Sequence, residues 1–260
     1  MIADSSNDPS VLSISWGWDE NQPFNNNMVL WSPAAIDHIN ESFLAVAQLG
    51  ITVCISTGDD GAEAQIKDGH AHVNFPATSP YVLAVGGTTL HARRSTTGET
   101  TVTEVVWNDG PGSGTGGGIS DITPVPSWQE GKVPRSINPG NFAGRGIPDV
   151  AANADPNTGY FVMSGGKPGI VGGTSAAAPL WGSLITRFNA MLGARVGNFN
   201  ALLYGTIGPA AVLRDITDGN NDTDGLLDGQ FQAGKGWDAC TGWGTPDGTK
   251  LLNALKSPTS

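Results

Sequence analysis

Apolar positions fall in short runs separated by glycine and polar turns, and two of these runs frame a helix. Val11-Leu12-Ser13-Ile14-Ser15 alternates apolar with small residues, which predicts a buried strand. Ser32-Pro33 then supplies an N-cap and a proline at the first helical position. Ala34, Ala35, Ile36, Ile39, Phe43, Val46 and Ala47 follow at helical spacing, and Gly50 is the stop. Ile51-Thr52-Val53-Cys54-Ile55-Ser56 is the next buried strand. Strand, helix and strand at this spacing form a βαβ unit, so the two strands should run parallel. Val82-Leu83-Ala84-Val85 predicts a third parallel strand. From Gly110 to Gly146 the chain is rich in Gly, Pro and Ser and reads as loop and edge strands. Regular structure returns at Ser175, where an Ala-rich apolar stretch to Leu192 predicts a buried helix stopped by Gly193. A short helix over about 249–255 closes the chain after Pro246-Asp247. The class is α/β with a parallel sheet. No internal repeat or linker divides the chain, so residues 1–260 read as one domain.

Composition narrows the choice of function. Acids outnumber bases 24 to 13, a net charge of −11, which argues against a nucleic-acid partner. No run of 18 apolar residues suggests a membrane span. The polar, acidic opening Met1-Ile2-Ala3-Asp4-Ser5-Ser6-Asn7-Asp8 does not read as a signal peptide. Charged residues make up 14%, well below ordinary usage, and 37 glycines are about twice it. Low charge and a pI near 4.5 suit a protein tolerant of acid, because few buried ion pairs are lost when carboxylates protonate. Cys54 and Cys240 are too few for a disulfide framework or a four-cysteine zinc site, and read as two unpaired thiols.

Two segments carry candidate chemistry. The second strand ends in Ser56-Thr57-Gly58-Asp59-Asp60-Gly61, where two acids sit between glycines at the carboxyl end of a parallel strand. Alone, that segment is equally an ordinary turn with solvated acids. Gly172-Gly173-Thr174-Ser175-Ala176-Ala177-Ala178-Pro179 is far more specific. It puts a serine in the first turn of a buried helix, at the positive end of the dipole, with glycines that let a substrate backbone approach. Pro179 is expected in or near the first turn, where a missing N–H costs least.

The serine box resembles the nucleophile segment of the subtilisin clan. Subtilases in that clan pair the serine with a histidine. None of His38, His70, His72 and His91 lies in a segment of that kind, although His70 or His72 could serve in a divergent subtilase. The sequence is more similar to the sedolisins, or serine-carboxyl peptidases, and nearest in pattern to their bacterial, kumamolisin-like members. Ser13-Ile14-Ser15-Trp16-Gly17, Ser56 to Gly61, Phe75 to Val82, Val85-Gly86-Gly87-Thr88, Trp107-Asn108, Thr115 to Ser120, Arg145 to Val150 and Asn153 to Pro156 follow in family order. The resemblance implies a subtilisin-like parallel sheet flanked by helices and hydrolysis of peptide or protein substrates at acid pH. Ser175 is the implied nucleophile. Asp59, kept protonated, is the implied oxyanion-hole donor, and Trp16 and Gly116, Gly117 and Gly118 the implied lining of the substrate cleft. It further implies an extracellular setting and a propeptide.

The same resemblance implies one calcium ion in a segment spanning about 213–240. Its ligands would be the carboxylates of Asp215 and Asp238, the backbone oxygens of Ile216, Gly234 and Gly236, and a water to complete the shell. The rival loop Asn220-x-Asp222-x-Asp224-Gly225 fails as an EF-hand because position twelve is Phe231, so its acids are expected to be solvated. The sequons at Asn40 and Asn221 are expected to be accidental.

The family's Glu/Asp helix, source of its general base, should precede Val11 by tens of residues and is expected to be missing, along with the strands before Val11. Asp37 and Glu41 are the only similar spacing, in reversed order, and are expected on the solvated face of the first helix; Asp19 and Glu20 read as loop acids. The chain is therefore either the C-terminal part of an acid-acting endopeptidase domain or a catalytically silent module that binds calcium and peptide. A carboxylate base within reach of Ser175 separates the two.

Overall fold

A computed structural model describes residues 7–21, 23–24, 28–29, 31–64 and 66–256. Residues 1–6 of the polar opening lie outside them.

The βαβ unit forms as the pattern predicts. Strand β1 (Val11–Ile14) leads into helix α1 (Pro33–Gln48), then strand β2 (Thr52–Ser56). Ser32 Oγ accepts the Ala35 N–H at 3.2 Å to cap α1. Gly50 follows its end at φ +69°, a left-handed turn that suits glycine. β1 and β2 pair in parallel, Val11 opposite Thr52 and Ile14 opposite Ile55.

Strand β3 (Leu83–Arg94) adds in parallel to β2, with Cys54 opposite Leu83. It runs far past the expected Val85. Its second half leaves the core and pairs antiparallel with β4 (Thr100–Val106), Thr88 opposite Val106 and Arg94 opposite Thr100. Within the 110–146 stretch, β5 (Gly118–Pro124) and β6 (Gly144–Ile147) form an antiparallel pair. Strand β7 (Val150–Asn153) completes the parallel order β1-β2-β3-β7. A hairpin of β8 (Tyr160–Ser164) and β9 (Lys167–Val171) follows, so regular structure returns well before Ser175. Helix α2 (Thr174–Leu192) stops at Gly193, φ +67°, and helix α3 (Gly248–Lys256) ends the described chain.

The core lies on both faces of the sheet. Val53 and Ile55 face one side, with Phe43 and Val46 of α1. Cys54, Leu83, Val85, Val150 and Ala152 face the other, against Ala177, Ala178, Trp181, Ile185 and Phe188 of α2. Strict alternation along β2, buried at every position, is the signature of a strand covered on both faces. The result is a parallel sheet between helices, with α2 aimed so that its N-terminus meets the carboxyl ends of β1 and β2.

Candidate active site

Three chain segments converge at those strand ends. β1 runs into Ser15-Trp16-Gly17, β2 into Thr57-Gly58-Asp59-Asp60, and α2 begins at Thr174-Ser175. They surround a cavity of about 220 Å³ lined by Trp16, Asp19, Asp59, Asp60, Asn74 and Ser175 among others. Ser175 is exposed on its rim, and Trp16, 57% exposed, stands edge-on to Trp31 at 5.4 Å.

Thr174 ties the start of α2 to the Asp59 turn. Its backbone N–H and its hydroxyl both donate to Asp59 Oδ1, at 2.7 and 2.8 Å. Gly58 N–H donates to Thr174 Oγ1 at 3.1 Å. Gly173 is required twice over. Its φ is +84°, and a Cβ there would stand 2.5 Å from Asp59 Oδ2. The Gly-Gly-Thr-Ser order is thus the order that lets Asp59 lie against the start of α2.

Pro179 is the sixth residue of α2, past the first turn, contrary to the sequence expectation. Its missing N–H would have bonded the Ser175 carbonyl. Ser15 Oγ donates to that carbonyl instead, at 2.9 Å, which joins the end of β1 to Ser175.

Gly116, Gly117 and Gly118 are buried and are not among the residues that line this cavity. They pack beneath it. Gly116 N–H donates to Gly58 O at 2.8 Å, and a Cβ on Gly116 would meet Thr57 O at 2.3 Å. A Cβ on Gly117 would meet Ala239 O at 2.1 Å. Their glycines answer to close backbone packing under the Asp59 turn.

Asp19 and Glu20 are not loop acids: each is 2% exposed. Trp18–Asp19 pairs antiparallel with Asn74–Phe75, which carries both acids inward. Glu20 Oε1 accepts from Ser120 Oγ at 2.7 Å and from Asp121 N–H at 2.8 Å, while burial pushes its carboxyl up to about 7. Asp19 Oδ2 lies 3.1 Å from His72 Nδ1, and Asp68 Oδ1 lies 2.9 Å from His72 Nε2. Burial alone would lower that imidazole, but the two carboxylates outweigh it and hold it up at about 9. With both nitrogens committed, His72 has none to offer a serine. Among the described residues no histidine lines the cavity. Asp37 and Glu41 are exposed on α1, across the sheet from α2, as expected.

A second, apolar groove of about 630 Å³ starts at the same serine. Tyr160, Val162 and Val171 of the hairpin form one wall, and Ser175, Ala176, Pro179, Leu180 and Ser183 of α2 the other.

In the tail, Asp215 Oδ2 accepts Gly236 N–H at 2.9 Å and Asp238 Oδ2 accepts Gly234 N–H at 3.1 Å. Both implied carboxylates therefore meet the one turn whose carbonyls the resemblance requires. Asp238 is 8% exposed, its carboxyl is pushed up to about 6 by burial, and among the described residues no cationic side chain pairs with it. A buried carboxylate that N–H and O–H donors serve but no cation pairs, in an all-oxygen donor set, fits a hard cation. Among the described residues no cluster of three or more His, Cys, Asp or Glu side chains could hold a metal, and this set has only two such side chains. Of the neighbouring acids expected to be solvated, Asp222 is buried and Asp224 half-buried, a correction to the sequence reading, and Asn221 and Thr223 are buried beside them. Asn221 Nδ2 donates to Thr115 O and Gly117 O, both at 3.2 Å, so its sequon is sealed inside. Cys54 and Cys240 are free and buried, as expected.

A subtilase family model matches residues 1–196. Kumamolisin of Bacillus sp. (strain MN-32) is 50% identical over 98% of this chain, which covers 44% of that protein. Human tripeptidyl-peptidase 1 is 34% identical over 99% of the chain, which covers 45% of it. The solved structure of Pseudomonas sedolisin, a serine-carboxyl proteinase, superposes with a TM-score of 0.81 at 31% identity, over 98% of this chain and 67% of that one. The chain belongs to the sedolisin family. The family accounts for the subtilisin-like sheet. The chain spans less than half the length of these curated relatives, of which tripeptidyl-peptidase 1 is a peptidase by name. Among the described residues no helix is long and apolar enough to cross a membrane.

Proposed function

We propose that these 260 residues form the nucleophile-bearing part of an acid-acting serine-carboxyl endopeptidase. The observation that carries the reading is the joint of Asp59 to Thr174, one residue from Ser175, on a cavity without histidine. Ser175 Oγ would attack the scissile carbonyl carbon while its proton passes to a carboxylate base. A carboxylate suits acid pH, where an imidazole would already be protonated. Asp59 Oδ1 is occupied by Thr174, which leaves Oδ2 to carry a proton and donate it as a hydrogen bond to the developing oxyanion. The base would then return its proton to the departing amine, leaving an acyl-serine for water to hydrolyse.

The base itself would come from the family's Glu/Asp helix. The apolar groove beside Ser175 suits a helix, because Ser175, Ala176, Pro179, Leu180 and Ser183 recur at helical spacing and end on the nucleophile. Asp215, Asp238 and the carbonyls of Ile216, Gly234 and Gly236 would hold one calcium ion, which would compensate the buried Asp238 charge. Peptide or protein substrates, a propeptide and an extracellular setting are carried over from the resemblance.

The alternative is a silent calcium- and peptide-binding module. It draws support from Asp19, an acid on the cavity wall that is already bound to His72 and to Asn21 N–H. The deciding experiment is hydrolysis of a quenched-fluorescence peptide by the 260-residue chain between pH 3 and 8, beside Ser175→Ala. Cleavage that peaks below pH 5 and vanishes in Ser175→Ala supports the peptidase with an in-chain base. A folded chain that binds the peptide and leaves it intact holds the nucleophile without its base, which is the silent module as the chain stands and leaves the peptidase reading dependent on the Glu/Asp helix. Cleavage peaking near neutral pH would overturn the carboxylate mechanism.

A further inference from the structure

Residues 15–19 form one wall of the Ser175 cavity, and two indoles stand on it: Trp16 is 57% and Trp18 41% exposed. Exposed indoles side by side on a cavity mark a contact surface rather than core. The backbone pairing that holds this strap is short. Trp18 and Asp19 pair antiparallel with Phe75 and Asn74, and Glu20 N–H adds a bond to Val73 O at 3.0 Å. A ladder of that length does not hold itself in water, so side chains must anchor the strap.

Its near end is joined to Ser175 through Ser15 Oγ. Two buried acids fix the far end. Glu20 takes Ser120 Oγ on both oxygens, at 2.7 and 2.9 Å, and Asp121 N–H at 2.8 Å. Asp19 takes Asn21 N–H on Oδ1 at 2.9 Å and places Oδ2 3.1 Å from His72 Nδ1. Asp68 Oδ1 stands 2.9 Å from Nε2, on the other side of the same ring. A neutral imidazole has one N–H, and its bare nitrogen would meet a carboxylate oxygen lone pair to lone pair. A carboxylate on each side therefore calls for a proton on each nitrogen. The remaining titratable groups nearby are Glu20, next to Asp19, and His70, whose Nδ1 lies 3.4 Å from Asp68 Oδ1. His72 N–H donates to Ala62 O at 2.7 Å, so the ring is carried close to the Asp59 turn.

We propose that His72 is a positioning residue: its imidazolium, clasped between Asp19 and Asp68, holds the Trp16–Trp18 strap in place as the substrate-facing wall, with Glu20 as the second anchor. The functional meaning rests on the cavity beside Ser175 as a peptide cleft; the clasp itself does not. The clasp uses the charged ring, so acid that disables a histidine base leaves this histidine in the form it needs.

The test takes the 260-residue chain carrying Ser175→Ala, so that bound peptide is not consumed, and adds His72→Gln or Asp68→Asn. Imidazole nitrogen NMR, near-ultraviolet dichroism and affinity for the quenched-fluorescence peptide are measured on each. The clasp requires both ring nitrogens of His72 to stay protonated from pH 5 to 8. A glutamine serves one carboxylate at a time. His72→Gln should therefore weaken peptide binding about tenfold and alter the dichroism of the edge-on Trp16–Trp31 pair. Asp68 is half-exposed, so Asp68→Asn should keep the fold and weaken the peptide about threefold, which decides the matter if His72→Gln misfolds. A bare ring nitrogen at pH 7, or variants that melt lower yet keep affinity and dichroism, overturn the proposal. A parent chain that binds no peptide counts against the cleft reading alone, and the nitrogen NMR and dichroism still decide the clasp.

Discussion

Asp149 and Asp59 both sit at the margin of the parallel sheet, and the fold treats them in opposite ways. Asp149, wholly buried before β7, takes the Arg145 guanidinium at 2.6 Å, the Tyr204 hydroxyl at 2.8 Å and Ala84 N–H at 2.8 Å. Trp128 covers the guanidinium, whose carbon lies 4.7 Å from the ring centre. Asp59 is half-buried, has one oxygen held by Thr174, and forms no ion pair among the described residues. A carboxylate matched on both oxygens, with a cation, is scaffold. One held on a single oxygen is oriented and still has an oxygen for chemistry.

The sharpest way to break this contrast is to truncate both. Asp149→Ala would strand a fully buried guanidinium, and we expect a loss of about 3–5 kcal/mol in denaturant unfolding. Asp59→Asn keeps an acceptor for Thr174 and should shift stability by about 1 kcal/mol or less. If the two cost the same, Asp59 is scaffold too.

The segment proposed to hold calcium is next in size. Asp238 is a third kind of carboxylate, buried like Asp149 and without its cation. Binding of the ion to the native state alone should stabilise it by about 2.7 kcal/mol at a hundredfold excess over Kd. We expect thermal unfolding to rise with added calcium and fall with chelator, and Asp238→Asn to be insensitive to both. A melting temperature indifferent to calcium in the parent chain would remove the site.

How far these roles could be read beforehand depended on the distance along the chain to the residue that creates them. The βαβ unit was legible because Ser32, Pro33, Phe43, Val46 and the all-apolar β2 declare it within one stretch. The serine box was legible for the same reason. The outer half of β3 and its partner β4 were not, since Thr100–Val106 is rich in threonine and largely exposed and offers no apolar run. Asp19 and Glu20 look like loop acids because their partners, His72 and Ser120, lie about 50 and 100 positions away. Gly116 to Gly118 announce a backbone contact without saying whether a substrate or Thr57 makes it.

The smallest effect tests the joint beneath Ser175. Ser15→Ala removes the hydroxyl that serves the Ser175 carbonyl. The bond is near the surface, so water can replace it in part, and we expect a loss of about 0.5–1 kcal/mol. Stability alone would not show that Pro179 is the reason the bond exists. Pro179→Ala restores an N–H that can close the helix onto the same carbonyl. In that background the carbonyl no longer depends on Ser15, and Ser15→Ala should cost measurably less. A double-mutant cycle reads the difference directly, and strict additivity would mean that Ser15 and Pro179 act independently. Coupling would mean that the proline in the serine box is what anchors β1, and with it Trp16, to the residue proposed to do the chemistry.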